Sequence, residues 1–273
     1  MIVPAPSLGD FDKAEVLHAL RAQRAHTLAL LEGLTPARWG EPVLPGWRVR
    51  EVVAHLITTD EGALTGRLLR LGFSERPMSD VEAWNETQVG RWADRPVPAL
   101  LAALDRWGGR MSRVLAMQPA VLLRRRLPTP FGRVSSLWLV MLRVYDEWVH
   151  GEDVRRGLGL ASDDAPERVR PVARQLLAAL PQQTLPRISP SASGRVEVRF
   201  EDLDLPPVGV DLDGRRYGVA VTGAGTAIAA PAGALIMVAA GRDVWREVEG
   251  AGTLRITGDR APAETFLDAL RVV

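Results

Sequence analysis

Apolar residues recur at helical spacing through the first two thirds of the chain. Asp10 is the expected N-cap of a first helix that ends near Gly33, and Val16, Leu20 and Leu31 mark its apolar side. The same pattern predicts further helices over residues 48–71, 79–93, 98–117, 135–156 and 165–180. Proline and glycine interrupt the pattern at residues 42–47 and 127–132, which we interpret as loops. The pattern therefore predicts a helical N-terminal domain.

The pattern changes after residue 180. Residues 181–193 are rich in Pro, Ser and Gln and are typical of a linker, whereas Val196, Val198 and Phe200 alternate with polar residues as in a half-buried strand. Asp213-Gly214 is a dipeptide typical of a hairpin turn. Strands are expected at 195–200, 208–212, 217–222, 226–229 and 253–256, and helices at 231–240 and 262–272. We predict an α+β protein with two domains, residues 1–183 and 184–273.

Composition excludes several functional classes. The chain has 273 residues and a net charge of +1, so bulk charge favours neither a nucleic-acid nor a membrane partner. No apolar run approaches the roughly 20 residues of a spanning helix, and the N-terminus lacks a signal-peptide pattern, so we expect a cytoplasmic protein. Cysteine is absent, which means that any thiol chemistry requires a thiol from outside. Arginine almost replaces lysine, as in GC-rich genomes such as those of actinobacteria.

Two of the four histidines have unusual neighbours. His55 lies in the apolar middle of the second predicted helix, and His150 follows Asp146 by about one helical turn. Glu147 is within reach of the same face. An imidazole and a carboxylate one turn apart can bind a divalent metal, and His55 on a facing helix would be a third ligand that leaves positions open.

The residues alone leave a simpler alternative open. A histidine on an apolar helix face is more often a core residue than a metal ligand, and the spacing between Asp146 and His150 arises easily by chance. Trp47 and Trp148, which flank the two histidine segments, could line a pocket or belong to the core.

Several segments resemble the mycothiol-dependent maleylpyruvate isomerases. Residues 44–56 (LPGWRVREVVAHL) are similar to the first motif of this family, and residues 34–39 (LTPARW) to its lead-in. Residues 146–155 (DEWVHGEDVR) resemble the second motif, an acid, three intervening residues and then His-Gly-x-Asp. Residues 254–259 (LRITGD) resemble part of a sterol-carrier-protein-like second domain.

The resemblance implies a DinB/YfiT-like up-down four-helix bundle, followed by a small α/β sterol-carrier-protein-like domain. It also implies one divalent metal, zinc by expectation, with His55, Asp146 and His150 as ligands and mycothiol as cosubstrate. The acid of this family is often Glu at the position of Asp146, so Glu147 could substitute for the shorter Asp. Asp153 matches a trailing acid that orients an imidazole, and its alternative partner is an arginine near the helix end.

Three hypotheses follow. In the first, the protein is an enzyme that uses the exogenous thiol as an isomerase or S-transferase on a small electrophilic substrate. In the second, it is a non-catalytic metal-binding, regulatory or partner-binding module. In the third, it is a bundle that has lost its metal site, with Asp146 as the sign of that loss. A coordination position open to thiols distinguishes the first hypothesis from the other two.

Overall fold

A computed structural model describes residues 8–67, 78–212, 216–219 and 225–272. These residues form two compact units, one of residues 12–163 and one of residues 164–272 together with 8–11. The predicted boundary at residue 183 therefore differs from the structural division. The reason is the helix Pro166–Ala179, which packs against a helix of the second unit instead of joining the bundle.

The first unit is built around four long helices. Its elements in chain order are α1 Lys13–Glu32, a 3-10 turn Pro36–Gly40, β1 Pro42–Leu44, β2 Trp47–Arg48, α2 Val49–Leu64, α3 Met78–Trp92, α4 Val97–Met117, α5 Ala120–Leu123, β3 Arg126–Thr129, β4 Gly132–Ser135 and α6 Ser136–Gly157. The structure thus confirms the predicted helices within a residue or two at most ends. The last predicted residues of the second helix, 68–71, lie outside the described part of the chain.

The N-cap of α1 is Asp12 rather than the predicted Asp10. Its carboxylate accepts a hydrogen bond from the backbone N–H of Ala14 at 2.8 Å, which satisfies a donor that the first helical turn leaves open.

Two segments predicted as loops are short antiparallel hairpins, β1–β2 and β3–β4. Gly46 and Gly132 have positive φ angles of 78° and 83° in their turns, a conformation that glycine adopts without steric cost. These strands are too short for an alternating pattern to reveal them.

The long helices surround one apolar core. Helices α1 and α2 each pack against both α4 and α6, so the first two helices lie diagonally across the bundle. This order differs from a simple up-down bundle, in which successive helices are neighbours, because residues 33–48 form a long connection between α1 and α2. The core contains Leu31, Trp39, Val49, Val52, Val53, Leu56, Ile57, Leu100, Ala103, Leu104, Val154 and Leu158.

The second unit contains a mixed five-stranded sheet. Its elements are α7 Pro166–Ala179, β5 Arg195–Phe200, β6 Val208–Asp211, β7 Arg216–Val219, β8 Thr226–Ala230, α8 Ala232–Ala239, α9 Trp245–Gly250, β9 Arg255–Thr257 and α10 Arg260–Ala269. The strand order is β7-β6-β5-β8-β9, with β5 and β8 parallel and the other neighbours antiparallel. Val196, Val198 and Phe200 are buried, as their alternation predicts.

Some predictions for this unit need correction. The predicted linker begins with helical turns at Leu180–Thr184 and Leu185–Arg187, where Leu180, Thr184 and Leu185 are buried. The last strand, β9, begins at Arg255, two residues later than predicted. The predicted turn at Asp213-Gly214 and the end of the 217–222 strand lie outside the described residues. A sterol-carrier-protein-like fold for this unit stays a prediction.

Within the described residues, no helix combines the length and apolar character needed to cross a membrane.

Candidate metal centre

Helices α2 and α6 bring the three predicted ligands together. His55 comes from the middle of α2, and Asp146 and His150 lie one turn apart on α6. One ligand atom from each residue lies within 4.8 Å of the others, which makes these three a candidate metal-binding group.

The carboxylate of Asp146 lies between the two imidazoles. Its Oδ2 is 3.5 Å from His55 Nε2, and its Oδ1 is 3.5 Å from His150 Nε2. The two rings approach edge to face with centroids 4.9 Å apart. Both histidines are buried and Asp146 is only partly exposed. A small cation would therefore meet two imidazole nitrogens and one carboxylate oxygen, a donor set typical of catalytic zinc.

Several atoms of this cluster need a partner. Among the described residues, neither ring nitrogen of His55 nor Oδ2 of Asp146 has a hydrogen-bond partner, although all three atoms are buried. An unsatisfied buried polar group costs about 1–3 kcal/mol, so native structures rarely retain one without a reason. A divalent cation bound between Nε2 of His55 and Oδ2 of Asp146 would supply a partner for these two atoms, and the residues therefore fit a metal.

The protonation states also suit metal binding. Burial lowers the pKa of His55, which favours the neutral imidazole that a metal requires. Burial acts to raise the pKa of Asp146, but His55, His150 and Arg143 outweigh it and hold this pKa below its ordinary value. Asp146 is therefore an anion at neutral pH.

Neighbouring side chains orient the imidazoles. Oδ2 of Asp153, a buried residue, lies 3.0 Å from Nδ1 of His150, which leaves the Nε2 of that ring directed to Asp146. The indole of Trp47 contacts both rings, with centroids 5.3 Å from His55 and 5.9 Å from His150. Trp47 thus lines the site, whereas Trp148 is almost fully buried in the core.

We expect the Asp153→Asn variant to bind a divalent metal about 10- to 100-fold more weakly than wild type, because the amide holds the His150 tautomer less firmly. Competition with a chelator of known affinity measures the change. Asp105→Asn, an exposed substitution on α4, is the matched control and should leave affinity unchanged. Equal affinity of Asp153→Asn and wild type would show that Asp153 does not orient the ligand.

Glu147, the predicted substitute for Asp146, has different partners. Its carboxylate is fully buried and accepts hydrogen bonds from Arg24 Nε at 2.8 Å and Nη2 at 2.9 Å. Arg143 Nη2 lies 3.2 Å from it. Asp60 completes the group, because it pairs with Arg24 at 2.6 Å and with Arg143 at 3.0 Å. We call Arg24, Asp60, Arg143 and Glu147 the buried quartet.

Arg24, Asp60 and Arg143 were not predicted as site residues, although the sequence contains a signal for two of them. Arg24 lies four residues after Leu20 and four before Leu28, and Asp60 lies in the same way between Leu56 and Leu64. A charged residue inside an apolar helical stripe must be paired if it is buried. The apolar stripes therefore indicate these two positions but not their pairing.

Gly108 of α4 makes room for the buried quartet. A Cβ atom at this position would overlap the guanidinium of Arg24, whereas nothing lies within 4 Å of a Cβ at Gly109. We therefore expect Gly108→Ala to lower the free energy of unfolding, although alanine is ordinarily about 1 kcal/mol better than glycine inside a helix. Gly109→Ala is the matched control and should stabilise the protein. Urea unfolding of both variants measures the difference, and stabilisation by Gly108→Ala would contradict the packing.

The fold and the cluster together define a helical-bundle protein with a candidate metal site. Residues 20–155 match the model of the family described as the mycothiol maleylpyruvate isomerase N-terminal domain, and over these residues the chain belongs to that family.

Solved structures agree with this assignment at the level of the fold. A crystal structure of the mycothiol-dependent maleylpyruvate isomerase has a TM-score of 0.57 at 19% identity, with 86% of this chain and 92% of that chain covered. A mutant of that isomerase has the same TM-score at 18% identity, with 92% and 96% covered. At such identities the similarity establishes the fold alone.

Two curated proteins from different strains of Mycobacterium tuberculosis, both described as uncharacterized, are 30% identical to this chain over 157 residues. The matched region is 56% of this chain and 60% of each relative, so the chain spans less than two thirds of their length.

Proposed function

We propose that this protein is a metal-dependent enzyme that uses an exogenous low-molecular-weight thiol, mycothiol, as an isomerase or S-transferase on a small electrophilic substrate. The observation that carries the proposal is the cluster of His55, Asp146 and His150, in which both ring nitrogens of His55 and Oδ2 of Asp146 are buried without a hydrogen-bond partner among the described residues. Family membership supports the choice of thiol, and the absence of cysteine agrees with a nucleophile supplied from outside.

His55, Asp146 and His150 would hold the metal. A divalent cation bound there would lower the pKa of a coordinated thiol, so that the nucleophilic thiolate is available at neutral pH. Two neutral imidazoles and one carboxylate leave one positive charge on such a centre. The buried quartet pairs two cations with two anions and adds no net charge. Asp153, 3.0 Å from His150 Nδ1, adds one negative charge beside the centre, so the metal itself rather than the surrounding charge would attract the thiolate.

The surrounding residues would prepare the site. Asp153 holds the ring of His150 in one orientation, and the indole of Trp47 covers one side of both imidazoles. Because the histidines are buried, water has limited access and electrostatic interactions are stronger than at the surface. Isomerisation and S-transfer both need a thiolate beside an electrophilic carbon, and the same site serves either reaction.

Three finer points belong to this proposal. Zinc is the proposed metal, because two histidines and one carboxylate are a common catalytic zinc set. We propose the cytoplasm as the location, since low-molecular-weight thiols act there. Residues 184–273 are proposed to form a sterol-carrier-protein-like domain.

Cobalt substitution tests the proposal. Protein loaded with Co²⁺ is titrated with mycothiol, and a sulfur-to-cobalt charge-transfer band should appear only when metal and thiol are both present. The loaded enzyme is then assayed with maleylpyruvate and with electrophilic acceptors. Binding of metal without any spectral response to thiol would refute the proposed enzymatic function and favour a non-catalytic metal-binding module.

A further inference from the structure

Arg143 connects the two helices that carry the candidate ligands. On α2, its Nη2 donates to the backbone carbonyl of Leu56 at 3.3 Å, and its Nε donates to Asp60 Oδ1 at 3.0 Å. Leu56 directly follows His55. On α6, the same guanidinium pairs with Glu147 at 3.2 Å, directly after Asp146. One side chain thus contacts the neighbours of a ligand on both helices.

The remaining nitrogen of Arg143 faces the ligand carboxylate. Nη1 is buried, has no hydrogen-bond partner among the described residues, and lies 3.5 Å from Oδ2 of Asp146. This oxygen is the one that faces His55. A guanidinium is planar and rigid, so fixing its other nitrogens also fixes the direction of Nη1.

We propose that Arg143 is a positioning residue for the candidate metal centre, which holds the Asp146 carboxylate toward His55 while it fixes α2 against α6. The inference rests on the metal site of the proposed function and adds a residue that does not itself touch the metal.

Arg24 offers an internal comparison. It belongs to the same buried quartet, is buried to the same extent and binds the same two acids, Asp60 and Glu147. Its other hydrogen bond within the described part of the chain is to the backbone carbonyl of Leu104 on α4, away from the ligands. A substitution at Arg24 should therefore reduce stability as a substitution at Arg143 does, but it should leave the orientation of the Asp146 carboxylate unchanged.

The test compares Arg143→Lys with Arg24→Lys. Both substitutions keep the charge and remove the guanidinium fork. We expect Arg143→Lys to weaken Co²⁺ affinity by at least 10-fold and to change the d–d absorption spectrum of the bound ion. Arg24→Lys should leave affinity within about threefold and the spectrum unchanged. Chelator competition and visible absorption measure both quantities on the full chain.

Charge-balanced double variants provide a second pair if a lysine variant does not fold. Arg143→Met with Glu147→Gln, and Arg24→Met with Glu147→Gln, each remove one charge of each sign and leave an arginine paired with Asp60. Only the first double variant should lose metal affinity.

The outcomes separate the two proposals. If wild type binds Co²⁺ and both members of a pair change affinity equally, or neither does, Arg143 is not a positioning residue, while the proposed function survives. If wild type binds no metal after reconstitution, the proposed function and this inference both fail.

Discussion

The His55→Ala variant should lose bound metal almost completely, while wild type purified without a His tag holds close to one divalent ion per chain. His55 is the only ligand that α2 contributes to the candidate group, so its removal leaves two donors from one turn of α6. Two donors on one helix do not define a tetrahedral site, and the affinity falls accordingly. Plasma mass spectrometry of the purified protein measures the metal content.

His26→Ala is the matched control for this experiment. His26 lies on α1 and is not a member of the candidate group, so its variant should retain the wild-type metal content. Retention of stoichiometric metal by His55→Ala would show that the three residues do not form the site. Absence of metal from wild type, even after reconstitution, would contradict the catalytic proposal.

The Glu147→Gln variant should lose about 3–5 kcal/mol of unfolding free energy, the range observed when one partner of a buried ion pair is removed. Glu147 is fully buried, and its loss leaves Arg24 and Arg143 with Asp60 as their shared anion. Urea unfolding followed by circular dichroism in the presence of a chelator measures the stability without a contribution from metal.

Glu86→Gln, an exposed substitution on α3, is the control and should change the free energy of unfolding by less than about 0.5 kcal/mol. A similarly small effect of Glu147→Gln would contradict the pairing in the buried quartet.

The loss of unfolding free energy at acidic pH should also depend on Glu147. Burial acts to raise the pKa of Glu147, but the charges of Arg24 and Arg143 outweigh it and lower this pKa below its ordinary value. The folded protein therefore binds the proton less readily than the unfolded chain. The stabilisation is complete above about pH 4.3, the pKa of an unperturbed Glu, and is lost as the pH falls through the folded value. Glu147→Gln should lack this part of the acid slope.

Local patterns predicted the elements of this protein more completely than their arrangement. Helices α1, α2, α4 and α6 follow from apolar residues at helical spacing, and strand β5 follows from alternation. The short hairpins had no such signal, because strands of two to four residues are too short to establish a period. The diagonal placement of α1 and α2 depends on contacts with α4 and α6, which no local pattern contains.

The candidate site was likewise predicted only in part from the sequence. Sequence alone placed Asp146 and His150 on one face of a helix, because four residues are about one turn. The same reasoning offered His55, on a facing helix, as the third ligand, and the resemblance to a family supported this set and suggested Glu147 as a substitute ligand. In the tertiary structure, His55 lies beside the other two residues. Glu147 instead pairs with Arg24, which lies 123 positions away in the chain.

The sequence by itself therefore determined the type of each long element, the change from helical spacing to strand alternation after residue 180, and the spacing of two candidate ligands. Only the tertiary structure decided which carboxylate faces the histidines and which one is neutralised by arginine. The physical reason is that periodicity and helical spacing are properties of neighbouring residues. Pairing within the buried quartet instead depends on the packing of α1, α2 and α6, and one of its ion pairs joins residues 83 positions apart.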